Sequence, residues 1–173
     1  MAQSKWYSEQ PKNRNFLAPV GFKLELDSFP GVDFFCQSAN VPDISMPTTE
    51  IPSPFRNLPM IPSGGVSFGD LNVSFIVDED LKNYISIHNW IRRNGRADSG
   101  SNTPEQEQYS NAQLHIVTSA YNPHFTVDFQ NIFPVQLSGL SFDARMTDID
   151  YITADVTFKH QQFFIRDKNF KIL

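Results

Sequence analysis

Residues 71–95 read LNVSFIVDEDLKNYISIHNWIRRNG, and the hydrophobic period changes partway along. Leu71, Val73, Phe75 and Val77 recur at every second position, as one buried face of a strand requires. Past Asp78-Glu79-Asp80 the spacing becomes helical. Leu81, Tyr84, Ile87 and Ile91, with Trp90 beside them, form one apolar stripe over 81–94. The three acids are expected to cap the helix start, Arg92 and Arg93 suit its last turn, and Gly95 is a natural stop. Phe75, Tyr84, Ile87, Trp90 and Ile91 are therefore the expected packing residues of strand and helix. No other stretch predicts a helix, so the fold depends on the strands around this one.

Strand signals lie on both sides. Upstream, Phe22-Lys23-Leu24-Glu25-Leu26 alternates, Pro30-Gly31 marks a turn, and 32–39 reads as a second strand, so the two predict a hairpin. Downstream, 96–109 is polar and reads as a loop. Leu114, Ile116 and Thr118 share one face of a strand. Phe125, Val127 and Phe129 alternate with Thr126, Asp128 and Gln130 until Ile132-Phe133-Pro134 is expected to break the run. Residues 135–142 predict another strand, and 152–164 the longest, with Ile152, Ala154, Val156 and Phe158 facing one way. The sum is about seven strands, with the helix after the fourth. An antiparallel β-sandwich or barrel with one flanking α-helix is the economical architecture.

The segment 40–70, NVPDISMPTTEIPSPFRNLPMIPSGGVSFGD, fits neither pattern. It holds six prolines, ten apolar residues and only four charges. Proline donates no backbone hydrogen bond, which rules out an ordinary interior strand. The segment is also too apolar for a solvated loop. It predicts an extended arm whose side chains are covered by something else.

The 173 residues suit one domain, and sixteen Phe supply a core. The net charge of −5 is spread along the chain, with no basic run to mark a nucleic-acid surface. The single Cys36 excludes an intrachain disulfide framework and reads as a small buried hydrophobe. The first fifteen residues lack the apolar core of a signal peptide, and no run approaches the ~20 residues of a membrane span. The expectation is a protein made in the cytoplasm, with no membrane anchor.

Chemistry is poorly advertised. His88, His115, His124 and His160 lack ligand spacing, so no metal site is expected. Asp148 and Asp150, with Asp143 near, are candidate paired carboxylates, but acids are ordinary between strands. There is no phosphate-loop, dinucleotide, nucleophile-elbow or zinc-protease motif, and Ser63-Gly64-Gly65 opens no helix. No catalytic residue and no cofactor is expected. Two classes remain: a self-assembling structural protein, motivated by the apolar arm, and a β-sandwich ligand-binding module using the loops 40–70 and 96–111.

The order of features resembles the tail tube protein family of contractile-tailed bacteriophages. The matching residues begin with Asn15-Phe16-Leu17 and Val20-Gly21-Phe22-Lys23-Leu24. Phe34, Cys36, Ser38, Val41 and Pro42 follow, then Ile51, Pro52, Phe55 and Asn57, then Gly65, Phe68 and Asp70. Val73, Phe75, Asp78, Glu79 and Trp90 continue the pattern. Pro134, Leu140, Phe142, Asp148, Ile149, Tyr151 and Val156-Thr157-Phe158 complete it over about 15–164.

The resemblance implies a virion protein without catalytic activity. Six subunits would form a ring-shaped β-barrel, and rings would stack into the tail tube through which DNA is ejected, without sequence-specific binding, as the tail sheath contracts. Relatives with the same fold form the tube-initiator and hub layers of the baseplate, or the terminator. The subunit interface is expected at Pro42, Ile51, Pro52, Phe55, Arg56, Asn57, Leu58, Met60, Phe68 and Asp70. An acidic lumen wall would repel DNA and let it slide. Residues 16–165 are the expected tube domain, flanked by an arm at 1–15 and a tail at 166–173. The proline-rich stretch 52–62 and these two extensions depart from the plain tube subunit and suit a layer with unlike neighbours.

Overall fold

The computed structural model describes residues 17, 19–27, 35–52, 54–55, 57–62, 64–95, 108–118, 122–143, 145, 151–168 and 171–173, with backbone only at 57–62 and 123. Eleven strands and one helix are present among the described residues. In order they are β1 (Phe22–Leu26), β2 (Cys36–Ala39), β3 (Ile44–Ser45), β4 (Thr48–Pro52), β5 (Asn57–Pro62), β6 (Ser67–Phe68) and β7 (Leu71–Ile76). Helix α1 (Lys82–Asn94) follows, then β8 (Ser110–Val117), β9 (Pro123–Leu137), β10 (Thr153–Lys159) and β11 (Gln162–Asp167). Seven strands make the main sheet in the order β1-β8-β9-β10-β7-β2, with β11 also on β9. All its pairings are antiparallel. Four short strands beyond the expected seven belong to the arm, and the helix follows the seventh strand rather than the fourth.

β9 organises the sheet. It runs fifteen residues without the break expected at Ile132-Phe133-Pro134. Asn131 takes φ 54, a left-handed conformation that Asn tolerates, and turns the strand there. Pro134 stays in the ladder because the pairing slips beside it: Phe158 opposes Pro134 and Thr157 opposes Gln136, leaving Val135 as the extra residue. Before the turn β9 pairs with β8 and β11; beyond it β8 keeps one pair, Ser110 with Ile132, and β10 takes over from Phe133. The expected single strand over 152–164 is bent at the same level, into β10 and β11 around His160-Gln161. Asn131 Nδ2 donates to Gln161 Oε1 at 2.7 Å, and the Gln161 N–H donates to the Gln130 carbonyl at 3.1 Å. The main sheet therefore consists of two half-sheets joined at one paired bend.

The expected hairpin of β1 with β2 does not form. β1 pairs with β8 and β2 with β7, at opposite ends of the strand order. Alternation fixes which side chains face inward but carries no information about the partner strand. The sheet curls enough to bring β1 and β2 into contact, so its interior is enclosed. Residues 135–142 also fall short of the expected strand, which stops at Leu137. Pro30-Gly31, residues 32–34 and 96–107 lie outside the described residues.

The core lies between the half-sheets. Leu24, Leu71, Val73, Phe75, Val127, Phe129, Ile132, Val156 and Phe158 are buried in it, and α1 adds Ile87 and Trp90. The Trp90 and Phe158 rings lie 6.1 Å apart, while Tyr84 and Ile91 pack at the margin of the cluster. Burial of side chains this size contributes about 1.5–3 kcal/mol each.

The acids before α1 do not cap it. No acidic residue lies in its first turn, and the position before Lys82 is Leu81, at φ 58 with no side-chain cap. Buried Asn83, the second residue of the helix, anchors it without capping it: its Oδ1 accepts from the Asp78 N–H at 3.2 Å and its Nδ2 donates to the Ile76 carbonyl at 2.8 Å. The helix is thus tied directly to the end of β7. Replacing Asn83 by Ala leaves those backbone groups unsatisfied and should cost about 1–3 kcal/mol of unfolding free energy. Glu79→Ala should change it by less than about 0.5 kcal/mol. Urea unfolding of the two variants checks both values.

Candidate functional site

The segment 40–70 leaves the sheet between β2 and β7 and returns through two small ladders. At its root Asn40 acts as a clasp. Its Nδ2 donates to the Asp70 carbonyl at 3.1 Å, and its Oδ1 accepts from the Asn72 N–H at 2.6 Å. Next, β3 pairs with β6, Ile44 opposite Phe68, and the Ser45 and Ser67 hydroxyls meet at 2.7 Å. The Gly69 N–H donates to the Asp43 carbonyl at 2.9 Å. A Cβ at Gly69 would lie 1.8 Å from Asp43 Oδ1, so the closeness of the two chains requires glycine unless Asp43 moves.

Beyond the root, β4 and β5 form a two-stranded antiparallel hairpin. Among the described residues neither strand has a second partner. Both are edges, which is why Pro52, Pro59 and Pro62 are tolerated within them. Every residue of β4 is exposed. Phe55, at the hairpin turn, is 98% exposed, and Val41, Ile44, Met46, Ile51 and Val66 are exposed along the arm. The arm thus carries a run of uncovered apolar side chains on one projecting element.

The ten residues expected at a subunit interface divide by place. Ile51, Pro52 and Phe55 are exposed on the hairpin. Pro42 is buried at the root, where Phe68 and Asp70 are half-buried. Asn57, Leu58 and Met60 contribute backbone to β5, and Arg56 lies outside the described residues.

Phe68 leads to a cluster that sequence reasoning missed. Its ring centroid lies 5.8 Å from that of His160 and 5.3 Å from that of Phe163. Phe129 completes the group, 5.3 Å from His160 and 5.8 Å from Phe163. Arm root, sheet bend and core thus meet at His160. Neither of its ring nitrogens has a hydrogen-bond partner among the described residues. Burial holds its pKa below the ordinary 6.5, while the charge of Asp70 opposes that shift. Nothing in the local sequence around His160 signals this, because its neighbours come from three separate strands. Beside it a cleft of about 770 Å³ opens between Tyr109, Asn131, Phe133, Lys159 and Gln161.

No catalytic arrangement stands out among the described residues. Among the described residues no three of His, Cys, Asp and Glu gather as a metal centre needs. Asp143 pairs with Arg145 at 3.0 and 3.1 Å, and that guanidinium lowers the Asp143 pKa. Asp148 and Asp150 lie outside the described residues. On the outward face of the first half-sheet, Asp128 pairs with Arg166, and His115 lies 3.3 Å from Glu25. No helix among the described residues is long and apolar enough to cross a membrane.

The depressed His160 pKa predicts an acid sensitivity. The unfolded chain protonates this histidine first as pH falls, so its contribution to stability is full above 6.5 and declines on acidification below it. The His160→Phe variant should show a flatter dependence of unfolding free energy on pH in that window. An unchanged slope would assign the sensitivity to another group.

The same fold occurs in solved contractile systems. The chain superposes with a TM-score of 0.66 on the tube-terminating cap of the anti-feeding prophage, at 18% identity over 96% of this chain and 99% of that one. It superposes at 0.61 on a chain of the PVC sheath–tube complex, an extracellular contractile injection system in its extended state, at 17% identity over 96% and 99%. With the Hcp1 protein of the E. coli EAEC 042 pathovar the TM-score is 0.55, at 10% identity over 89% and 96%. No curated protein sequence is a significant match. Identities this low establish a shared fold and nothing finer. The sequence itself carries the closer relationship, for the phage tail tube protein model matches residues 9–166, from before β1 almost to the end of β11. The resemblance carried by the ordered motifs is thus borne out: the chain belongs to the phage tail tube protein family.

Proposed function

We propose that the chain is a structural subunit of a bacteriophage contractile tail, closing into hexameric rings that stack as the inner tube for DNA passage. The observation that carries this reading is the projecting apolar arm on a tail-tube fold, with Phe55 uncovered at its turn. A patch on one projecting element, received by a different surface on the next copy, makes a head-to-tail contact. Such contacts close into rings or propagate as filaments. Residues 16–165 act as the tube domain, and Pro42, Ile51, Pro52, Phe55, Arg56, Asn57, Leu58, Met60, Phe68 and Asp70 belong to the arm contact. The prolines hold the arm extended and lower its ordering cost before it docks. On this reading the partners are copies of the chain, adjacent rings and the sheath. The subunit is made in the host cytoplasm, resides in the virion and performs no catalysis.

A second placement has its own support. Proteins of this fold include a tube-terminating cap and a sheath/tube terminator in their own systems, so the fold suits a terminal layer as well as the tube. A layer with unlike neighbours above and below also suits a proline-rich arm and an extended tail. Copy number in the virion separates the placements: a hundred or more copies is expected for the tube, and six or twelve for a terminal or baseplate layer.

Deleting 49–63 removes most of the hairpin without touching the main sheet. The variant should keep a β-rich circular dichroism spectrum and lose stacking in negative-stain images. Normal tubes from it would sink the arm contact. Phe55→Ser should do the same more gently, weakening assembly at least tenfold with unfolding free energy changed by less than about 0.5 kcal/mol.

A further inference from the structure

The tail beyond β11 is held to the sheet by backbone alone. Arg166 has Thr126 of β9 on one side and Ile172 on the other, so 171–173 runs back antiparallel along the edge of β11 that faces away from β9. The Asp167 N–H donates to the Lys171 carbonyl at 3.0 Å, and the Leu173 N–H donates to the Ile165 carbonyl at 3.0 Å. Lys171, Ile172 and Leu173 are all exposed, and none of their side chains belongs to the core. Leu173 is 74% exposed, and Ile165, opposite it in the pairing, is 41% exposed.

Two features make this a pairing that can change hands. The net worth of two backbone hydrogen bonds is comparable with the entropy lost in ordering three residues, so the hold stands near balance. Ile165, Ile172 and Leu173 lie along this edge largely in water, so the tail closed on its own subunit leaves apolar area uncovered. The edge accepts this sequence in this register. The same edge on a second copy accepts it equally, because the same bonds form there. Exchange of an identical element between copies is a low-cost route to assembly.

We infer that on assembly the tail leaves its own β11 and pairs with β11 of an adjacent copy, again with Arg166 opposite Ile172. The inference rests on the ring reading above and adds to it a strap between copies, separate from the arm. Fully extended, residues 168–173 reach about 20 Å, which sets how near the acceptor strand stands. At that distance the acceptor edge competes with the tail's own edge at high effective concentration. The exchanged tail carries Ile172 and Leu173 to where two copies meet, and their apolar area is buried there. The closed tail is then the form of the free subunit, in which it keeps the β11 edge from pairing with other strands.

The test uses full-length protein with Cys36→Ala, Ile165→Cys and Leu173→Cys, whose new thiols are opposite each other in the ladder and within disulfide reach. Oxidised as dilute subunits, the chains should close on themselves and run as monomers on a non-reducing gel. Oxidised after assembly, most chains should run as a ladder of covalent oligomers. Subunits locked by oxidation beforehand should assemble at least tenfold more slowly than the same subunits kept reduced. Monomers alone from imaged rings, or assembly of locked subunits at the reduced rate, overturns the exchange while leaving the ring reading intact. Equal ladders from dilute subunits and from rings overturn its link to assembly. Absence of rings from the parental protein overturns both readings. Asp167→Cys with Lys171→Cys, the neighbouring pair, gives the same readout where the first pair impairs folding.

Discussion

The paired bend at Asn131 and Gln161 is the constraint on which the rest of the structure hangs. A fifteen-residue strand cannot stay straight and serve two half-sheets, so β9 must turn, and its neighbour must turn at the same level or lose its ladder. Left-handed Asn131 supplies the turn, and its side-chain amide bonds the residue at the matching break. Once both strands have bent, the two inner faces enclose Phe75, Phe129 and Phe158, and the margin left open takes the helix through Ile87 and Trp90. The slipped pairing beside Pro134 belongs to the same device, since a proline inside a ladder needs a place where a donor is not required.

The bend also positions what projects. His160 sits at the break between β10 and β11, and its ring packs on Phe68 at the arm root. The arm is therefore seated on the most constrained part of the sheet, with the Asn40 clasp holding its two ends together. Beyond that seat the hairpin has no cover of its own. A chain that spends this much apolar surface on a projection gains from it only when another surface buries it.

Much of this was legible in the sequence. Period-two alternation located β1, β7, β8 and β10, because a strand with one buried face must alternate. The change of period after Val77 located the helix, and the conflict between proline and apolar content in 40–70 singled out the arm. The ordered motifs, taken together, identified the family. Each of these is a local property, or a sum of local properties, that side chains carry wherever the chain goes.

Pairing, bending and coverage were decided only by the tertiary structure. β1 and β2 look like a hairpin in sequence yet take opposite ends of the strand order, because alternation fixes a strand's faces and not its partner. Asn83 anchors the helix where three acids were expected to cap it, because it bonds the Ile76 carbonyl at the end of β7 and the Asp78 N–H just beyond. His160 looks ordinary until strands distant in sequence bring Phe68 and Phe129 to join Phe163 around it. Sequence by itself determined which segments are strand, helix and arm and which family they compose. The fold decided their neighbours, for neighbours are set by long-range packing that no local pattern encodes.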